Sequence, residues 1–151
     1  MPKEISVGGV IFFEEENKRL YLLLEYERIN DKNGRHNYWD FPKGHIEKDE
    51  KELDTLFREV KEETNLDKID LVLGFKEKIK YFFKKDNKFV NKEVVYYLLK
   101  SGTKEVKISF EHHNFKWVEY KKALSLIGFK NSKEILKKAE LFLNNSLLRY
   151  N

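Results

Sequence analysis

Residues 38–66 read YWDFPKGHIEKDEKELDTLFREVKEETNL, and one helix inside this stretch organises what surrounds it. A helix is predicted over 50–64. Asp49 is the expected N-cap with Glu52 three residues on, and Leu53, Leu56, Phe57 and Val60 recur on one side. Behind Arg58 stand Glu59, Glu62 and Glu63. Helical residues advance about 100° each, so these carboxylates fall within a sector of roughly 100° and one turn of rise. The apolar stripe lies about a third of a turn away, so the cluster borders the buried side. Like charges at this spacing destabilise an isolated helix by roughly 0.2–0.5 kcal/mol per pair. The dipole at the C-terminal half adds to that penalty. A solvated face more naturally alternates signs, as Lys48-Asp49-Glu50-Lys51-Glu52 does. Spacing alone leaves two readings: a charged solvated face, or hard oxygen ligands gathered for Mg²⁺ or Mn²⁺.

Working outward, the chain of 151 residues suits one domain, 1–151, with a core of its own. Its 40% hydrophobic and 15% aromatic content predicts folding. Thirty Lys and Arg oppose 26 Asp and Glu for a net charge of +4, which is not the one-sided field of a DNA-binding domain. No groove-reading helix signature is present, and no stable nucleic-acid partner is expected. Cysteine is absent, which excludes disulfides and thiolate chemistry. The N-terminus MPKEISVGG has no apolar core of signal-peptide length, and no run approaches about 20 apolar residues. A soluble, cytoplasmic monomer without a membrane partner is the expectation.

The flanking segments predict a mixed sheet with helices against it. ISVGGVIFF (5–13) and LYLLLEY (20–26) read as strands joined by the turn EEENKR, and 27–37 reads as an exposed loop with Asn33-Gly34 as its turn signal. Further strands are expected over 69–83 and 93–100, separated by KKDNK, and over 115–120. A short helix over 121–127 and a long one over 132–148 complete the pattern, the latter with Asn131 and Glu134 as its capping signal.

From Gly44 the chain runs five residues to Glu50, seven more to Arg58, then Arg58-Glu59-Val60-Lys61-Glu62-Glu63-Thr64-Asn65-Leu66. This resembles the Nudix box, GX5EX7REUXEEXGU with U aliphatic. Asn65 stands where the pattern has glycine, and asparagine is the next-best occupant of a left-handed helix C-cap. The resemblance implies an α/β fold, an α/β/α sandwich with a mixed sheet, and a hydrolase of nucleoside diphosphates linked to another moiety. It makes Glu59 and Glu63 direct Mg²⁺ ligands, Glu62 a further ligand, and the Gly44 carbonyl a candidate to complete the shell. Glu50 and Arg58 are implied to be structural, an ion pair shaping the loop-helix-loop.

The segment YWDFPKGHIE further resembles the start of the box in asymmetrical diadenosine tetraphosphate hydrolases of that family. The likeness continues through GFKEKIKYF (74–82), VVYYLLK (94–100), FEHHNFKWVEYKKA (110–123) and GFKNSKEILKKA (128–139). It implies that Lys43 meets a phosphate oxygen and that His45 hydrogen-bonds the same phosphate chain, with Lys92 a further contact. It implies Glu111 as an additional metal ligand or positioner of water, the alternative being an ordinary exposed acid. Tyr81 and Phe129 would stack on an adenine, the alternative for each being core packing. The implied substrate is a dinucleoside polyphosphate, cleaved by water to ATP and AMP. Rivals are RNA 5′-triphosphate ends, diphosphoinositol polyphosphates, and a nucleotide sensor that does not cleave.

Overall fold

The computed structural model describes residues 3–27 and 37–149, the side chains of 146–149 excepted. Two long strands, β1 (Lys3–Glu15) and β2 (Lys18–Glu27), form the first hairpin. The expected six-residue turn contracts to Glu16-Asn17, both with positive φ, 47° and 65°. That is the geometry whose twist matches a two-residue hairpin. After β3 (Asn37–Asp40) and β4 (Lys43–His45) comes helix α1 (Glu52–Thr64). Strands β5 (Ile69–Lys85) and β6 (Lys88–Ser101) make a second hairpin on Asp86-Asn87, again with positive φ at both residues. Strand β7 (Asn114–Val118), α2 (Tyr120–Leu126) and α3 (Lys130–Arg149) follow. Most of the loop expected over 27–37 lies outside the described residues.

The seven strands form one sheet in the order β3-β2-β1-β6-β5, with β4 paired to β1 and β7 to β2. Strands β1 and β6 run parallel, from Lys3 opposite Asn91 to Phe12 opposite Lys100; the other named strand pairs are antiparallel. The mixed sheet is as expected. Its central strands are apolar on both faces, because side chains alternate and both faces are covered. Val7 and Ile11 of β1 with Leu22 and Leu24 of β2 pack beneath α1 against Leu56 and Val60. Val10, Phe12, Tyr21 and Leu23 point the other way, towards Ala123, Ile135, Leu136 and Ala139 of α2 and α3. The result is helix, sheet, helix. Among the described residues no helix is long and apolar enough to cross a membrane.

Three sequence expectations are corrected here. Asp49 does not cap α1. It adopts a left-handed φ of 67° in a turn where Glu50 N–H donates to the Glu47 carbonyl, and the helix begins only at Glu52. The reach-back contact comes from Asp54, whose Oδ2 accepts the Lys51 N–H at 3.3 Å, and not from Glu52. The apolar stripe is rotated: Leu56 and Val60 are buried, but Leu53 and Phe57 are 37% and 40% exposed. Glu63 joins the buried face in their stead, at 6% exposure. Finally, α3 starts at Lys130, with the Phe129 carbonyl accepting the Lys133 N–H, so Asn131 lies in its first turn and is not its cap.

Candidate active site

Strand β4 brings the box to the sheet. Lys43, Gly44 and His45 pair antiparallel with Gly8, Val7 and Ser6 of β1, and the Pro42 carbonyl accepts the Gly9 N–H at 3.0 Å. The strand lays Gly44 directly under α1, and Glu59 fills the space above it. A Cβ built on Gly44 would fall on the Glu59 carboxyl group. Only a residue without a side chain permits this approach. Because the obstacle is the end of a flexible side chain, Gly44→Ala is expected to displace Glu59 while leaving the thermal midpoint nearly unchanged. Its Mn²⁺ affinity, read by titration, should fall about 10-fold or more, the scale on which support of a ligand acts.

Arg58 organises the cluster. Its Nε and a terminal nitrogen donate to the two Glu50 oxygens at 2.7 and 2.9 Å, and the same terminal nitrogen donates to the His45 carbonyl at 3.2 Å. Its other terminal nitrogen donates to Glu59 at 2.8 Å and lies 3.3 Å from Glu62. The bidentate pair joins the loop to the helix. These bonds from Arg58, followed by the Glu47 N–H, hold the Glu50 carboxyl down at about 2. A carboxyl depressed in the fold stabilises it above the ordinary value of 4.5, and that contribution is lost as pH falls towards about 2. Glu50→Gln should therefore flatten the fall of the thermal midpoint across this acid window, as midpoint-against-pH scans of both proteins will show.

The other carboxylates are shifted upward. Burial, outweighing Arg58, raises the Glu59 carboxyl, with Glu62 and Glu111 contributing like charge. Burial also raises Glu63, despite His112 beside it. Glu63 Oε2 is buried with no hydrogen-bond partner. A buried carboxylate oxygen left unsatisfied is costly, and a divalent cation is a ligand that would satisfy it. Glu62 is exposed, and Glu111 lies in a turn before β7, exposed yet close enough to act on Glu59 electrostatically. Among the described residues no three His, Asp or Glu side chains form a ready-made ion cage. Arg58 instead supplies the counter-charge for Glu59 and Glu62. The donor set, all carboxylate with a backbone carbonyl at Gly44, nevertheless fits a hard cation, and the orphaned Glu63 oxygen and the Gly44 niche mark where it would be held.

A cleft of about 400 Å³ is lined by Tyr38, Asp40, Lys43, Tyr81, Tyr96 and Phe129 among others. Tyr81 and Phe129, expected as ring platforms, both line it and are half-buried, and Tyr81 also packs against the core cluster. Lys43 sits at the junction: it lines the cleft, and its neighbour Gly44 lies under Glu59. Its Nζ pairs with the fully buried Asp40 at 3.4 Å. Burial alone would lower the Lys43 pKa, but the Asp40 carboxylate overrides it and keeps the ammonium charged.

His45 and Lys92 are drawn into a separate network. Lys92 Nζ donates to Ser6 Oγ at 2.7 Å and lies 3.5 Å from His45 Nδ1, while Ser6 Oγ is 3.3 Å from the same nitrogen. Desolvation, then the neighbouring Lys92 charge, holds His45 below its ordinary range. Lys92 is buried and does not line the cleft, although it stands opposite Tyr81 across β5 and β6. A larger cavity, about 640 Å³ and lined by Lys61, Lys68, Lys104 and Lys107, contains none of the box carboxylates. Its size does not make it the site.

Sequence reasoning passed over three residues of this region. Tyr38 stacks on Tyr26 at 5.3 Å and meets Phe129 edge-on at 5.0 Å, forming a cleft wall. Asp40 holds Lys43. His112 is buried against Glu63. Tyr38 and Asp40 lie in the segment before Pro42, but nothing in local pattern says which way a residue of a four-residue strand points.

Comparison with known proteins identifies the family. The NUDIX domain family model matches residues 2–139. The chain is 32% identical over 124 residues to the asymmetrical bis(5′-nucleosyl)-tetraphosphatase of Sus scrofa, covering 80% of this chain and 81% of that one. It is also 32% identical over 139 residues to the Caenorhabditis elegans protein of the same name, covering 91% and 95%. A crystal structure of a C. elegans Ap4A hydrolase binary complex superposes with a TM-score of 0.78 at 28% identity, covering 94% of this chain and 98% of that one. With the box folded over its strand and the family model spanning nearly the whole chain, this protein belongs to the Nudix hydrolases.

Proposed function

We propose that this hydrolase cleaves diadenosine tetraphosphate to ATP and AMP. The observation that carries the reading is the junction at Lys43, which joins an aromatic cleft to the Glu59–Glu63 carboxylates through a single step of chain. One adenine stacks between Tyr81 and Phe129, a contact worth about 1–3 kcal/mol per base that needs no particular hydrogen-bond pattern. Lys43, held charged by Asp40, receives the phosphates leaving the cleft. Glu59 and Glu63, with Glu62, Glu111 and the Gly44 carbonyl, would hold a divalent cation. Mg²⁺ or Mn²⁺, when bound, offsets phosphate charge and makes water a competent nucleophile. Water attacks one phosphorus, the bridging P–O bond breaks, and the departing phosphate takes the electron pair. Cleavage is off-centre because the cleft fixes one adenosine at a set distance from the carboxylates. The names of the relatives support the same substrate. A sensor that had given up cleavage would lack an essential carboxylate, and Glu59, Glu62, Glu63 and Glu111 are all present.

Incubation with diadenosine tetraphosphate and Mg²⁺ in ¹⁸O-water tests this directly. Equal amounts of ATP and AMP, with one ¹⁸O in one product, are expected. Two ADP per substrate would overturn asymmetric cleavage. Preferential turnover of RNA 5′-triphosphate ends or a diphosphoinositol polyphosphate in competition would overturn the substrate.

A further inference from the structure

His112 occupies an unusual position. Its side chain is 2% exposed, and neither ring nitrogen has a hydrogen-bond partner. Buried imidazoles are ordinarily satisfied, so this one asks for a ligand or a partner that has not closed on it. Its Nε2 points to Glu63 Oε1 at 3.8 Å, beyond hydrogen-bond range by less than about 1 Å. The other Glu63 oxygen, Oε2, is the buried atom left without a partner.

The ring is held by contacts other than the Glu63 carboxylate. Tyr26 meets it edge-on, with centroids 4.6 Å apart and planes at 85°. The backbone around it is tied on both sides. His112 N–H donates to the Ser109 carbonyl, Ser109 N–H to the Glu63 carbonyl, and His113 N–H to the Glu25 carbonyl of β2. The imidazole is therefore held from Tyr26 and from its own backbone, with the buried Glu63 carboxylate beside it.

We infer that His112 is a positioning residue for Glu63: its Nε2–H takes Oε1 and so turns Oε2 towards the cation site. This rests on the metal reading proposed above. A donor that fixes one oxygen of a ligating carboxylate selects its orientation, and loss of such a partner weakens metal affinity by about 10–100-fold. The tautomer is thereby assigned as well. Nε2 carries the proton and Nδ1 does not, as the geometry towards Glu63 requires.

The test uses the full chain without nucleotide, and reads free Mn²⁺ by electron paramagnetic resonance. His112→Phe keeps the ring and its contact with Tyr26 but removes the donor, whereas His112→Gln keeps a donor near the position of Nε2. H112F should weaken Mn²⁺ binding about 10–100-fold, and H112Q should recover most of the loss. At saturating Mn²⁺, H112F should lower kcat for diadenosine tetraphosphate and leave KM near that of the wild type. A second measurement needs no variant: two-bond ¹H–¹⁵N correlation spectra of the wild type should show the Nε2–H tautomer for His112. Mn²⁺ binding by H112F equal to that of the wild type, or an Nδ1–H tautomer, would overturn the inference alone. Failure of the wild type itself to bind Mn²⁺ would sink the metal reading, and this inference with it.

Discussion

Glu63→Gln is expected to reduce turnover by about 10²–10³-fold or more, the scale on which loss of one charge-stabilising group acts. The folded protein should persist, because the change is isosteric and exchanges a buried carboxylate for a neutral amide. Burial already disfavours the charged form at this position. Removing that charge relieves a desolvation penalty that the apo protein does not recover, since Oε2 has no partner within the fold. Thermal stability should therefore hold or rise as activity falls. Initial rates at saturating Mg²⁺, alongside thermal unfolding, check both halves. Unaltered kinetics in a folded Glu63→Gln protein would show that the carboxylate takes no part in the chemistry.

The second large effect is expected at the cleft. Tyr81→Ala and Phe129→Ala should each raise KM for the dinucleotide about 5- to 160-fold, from the loss of about 1–3 kcal/mol of stacking. The value of kcat should change far less, because neither ring adjoins the carboxylates. Both side chains are half-buried cleft residues, so truncation removes a wall of the cleft and does not open a hole in the core. Tyr81 also touches the core cluster beneath α3, so a modest loss of stability accompanies its variant. An unchanged KM in either protein would mean that the ring serves packing alone.

The long elements were legible because their burial is periodic. The nearly unbroken apolar run in ISVGGVIFF reports a strand covered on both faces, and the structure uses one set of its residues under α1 and the other under α2 and α3. Asn65 behaves as its residue type implied, with φ of 60° and its N–H bonded to the Lys61 carbonyl. Strands β3 and β4 were not legible. They are four and three residues long, flank Pro42, and exist because β2 and β1 offer them backbone partners. The start of α1 was misplaced for a related reason. Glu50, which local rules assign to the helix, is engaged by Arg58 eight residues away and leaves the turn before it to end at Glu52. The same limit hid His112. Its neighbour Glu111 carried the motif, while burial of the imidazole against Glu63 depends on a loop that folds back along α1.

The most direct measurement of the central claim is anomalous diffraction from crystals grown with Mn²⁺ and a non-hydrolysable diadenosine tetraphosphate analogue. An anomalous peak bonded to the Glu59 and Glu63 carboxylates, next to a phosphate oxygen of a chain whose adenine lies between Tyr81 and Phe129, is the predicted result. A bound analogue with no metal at those glutamates would contradict it.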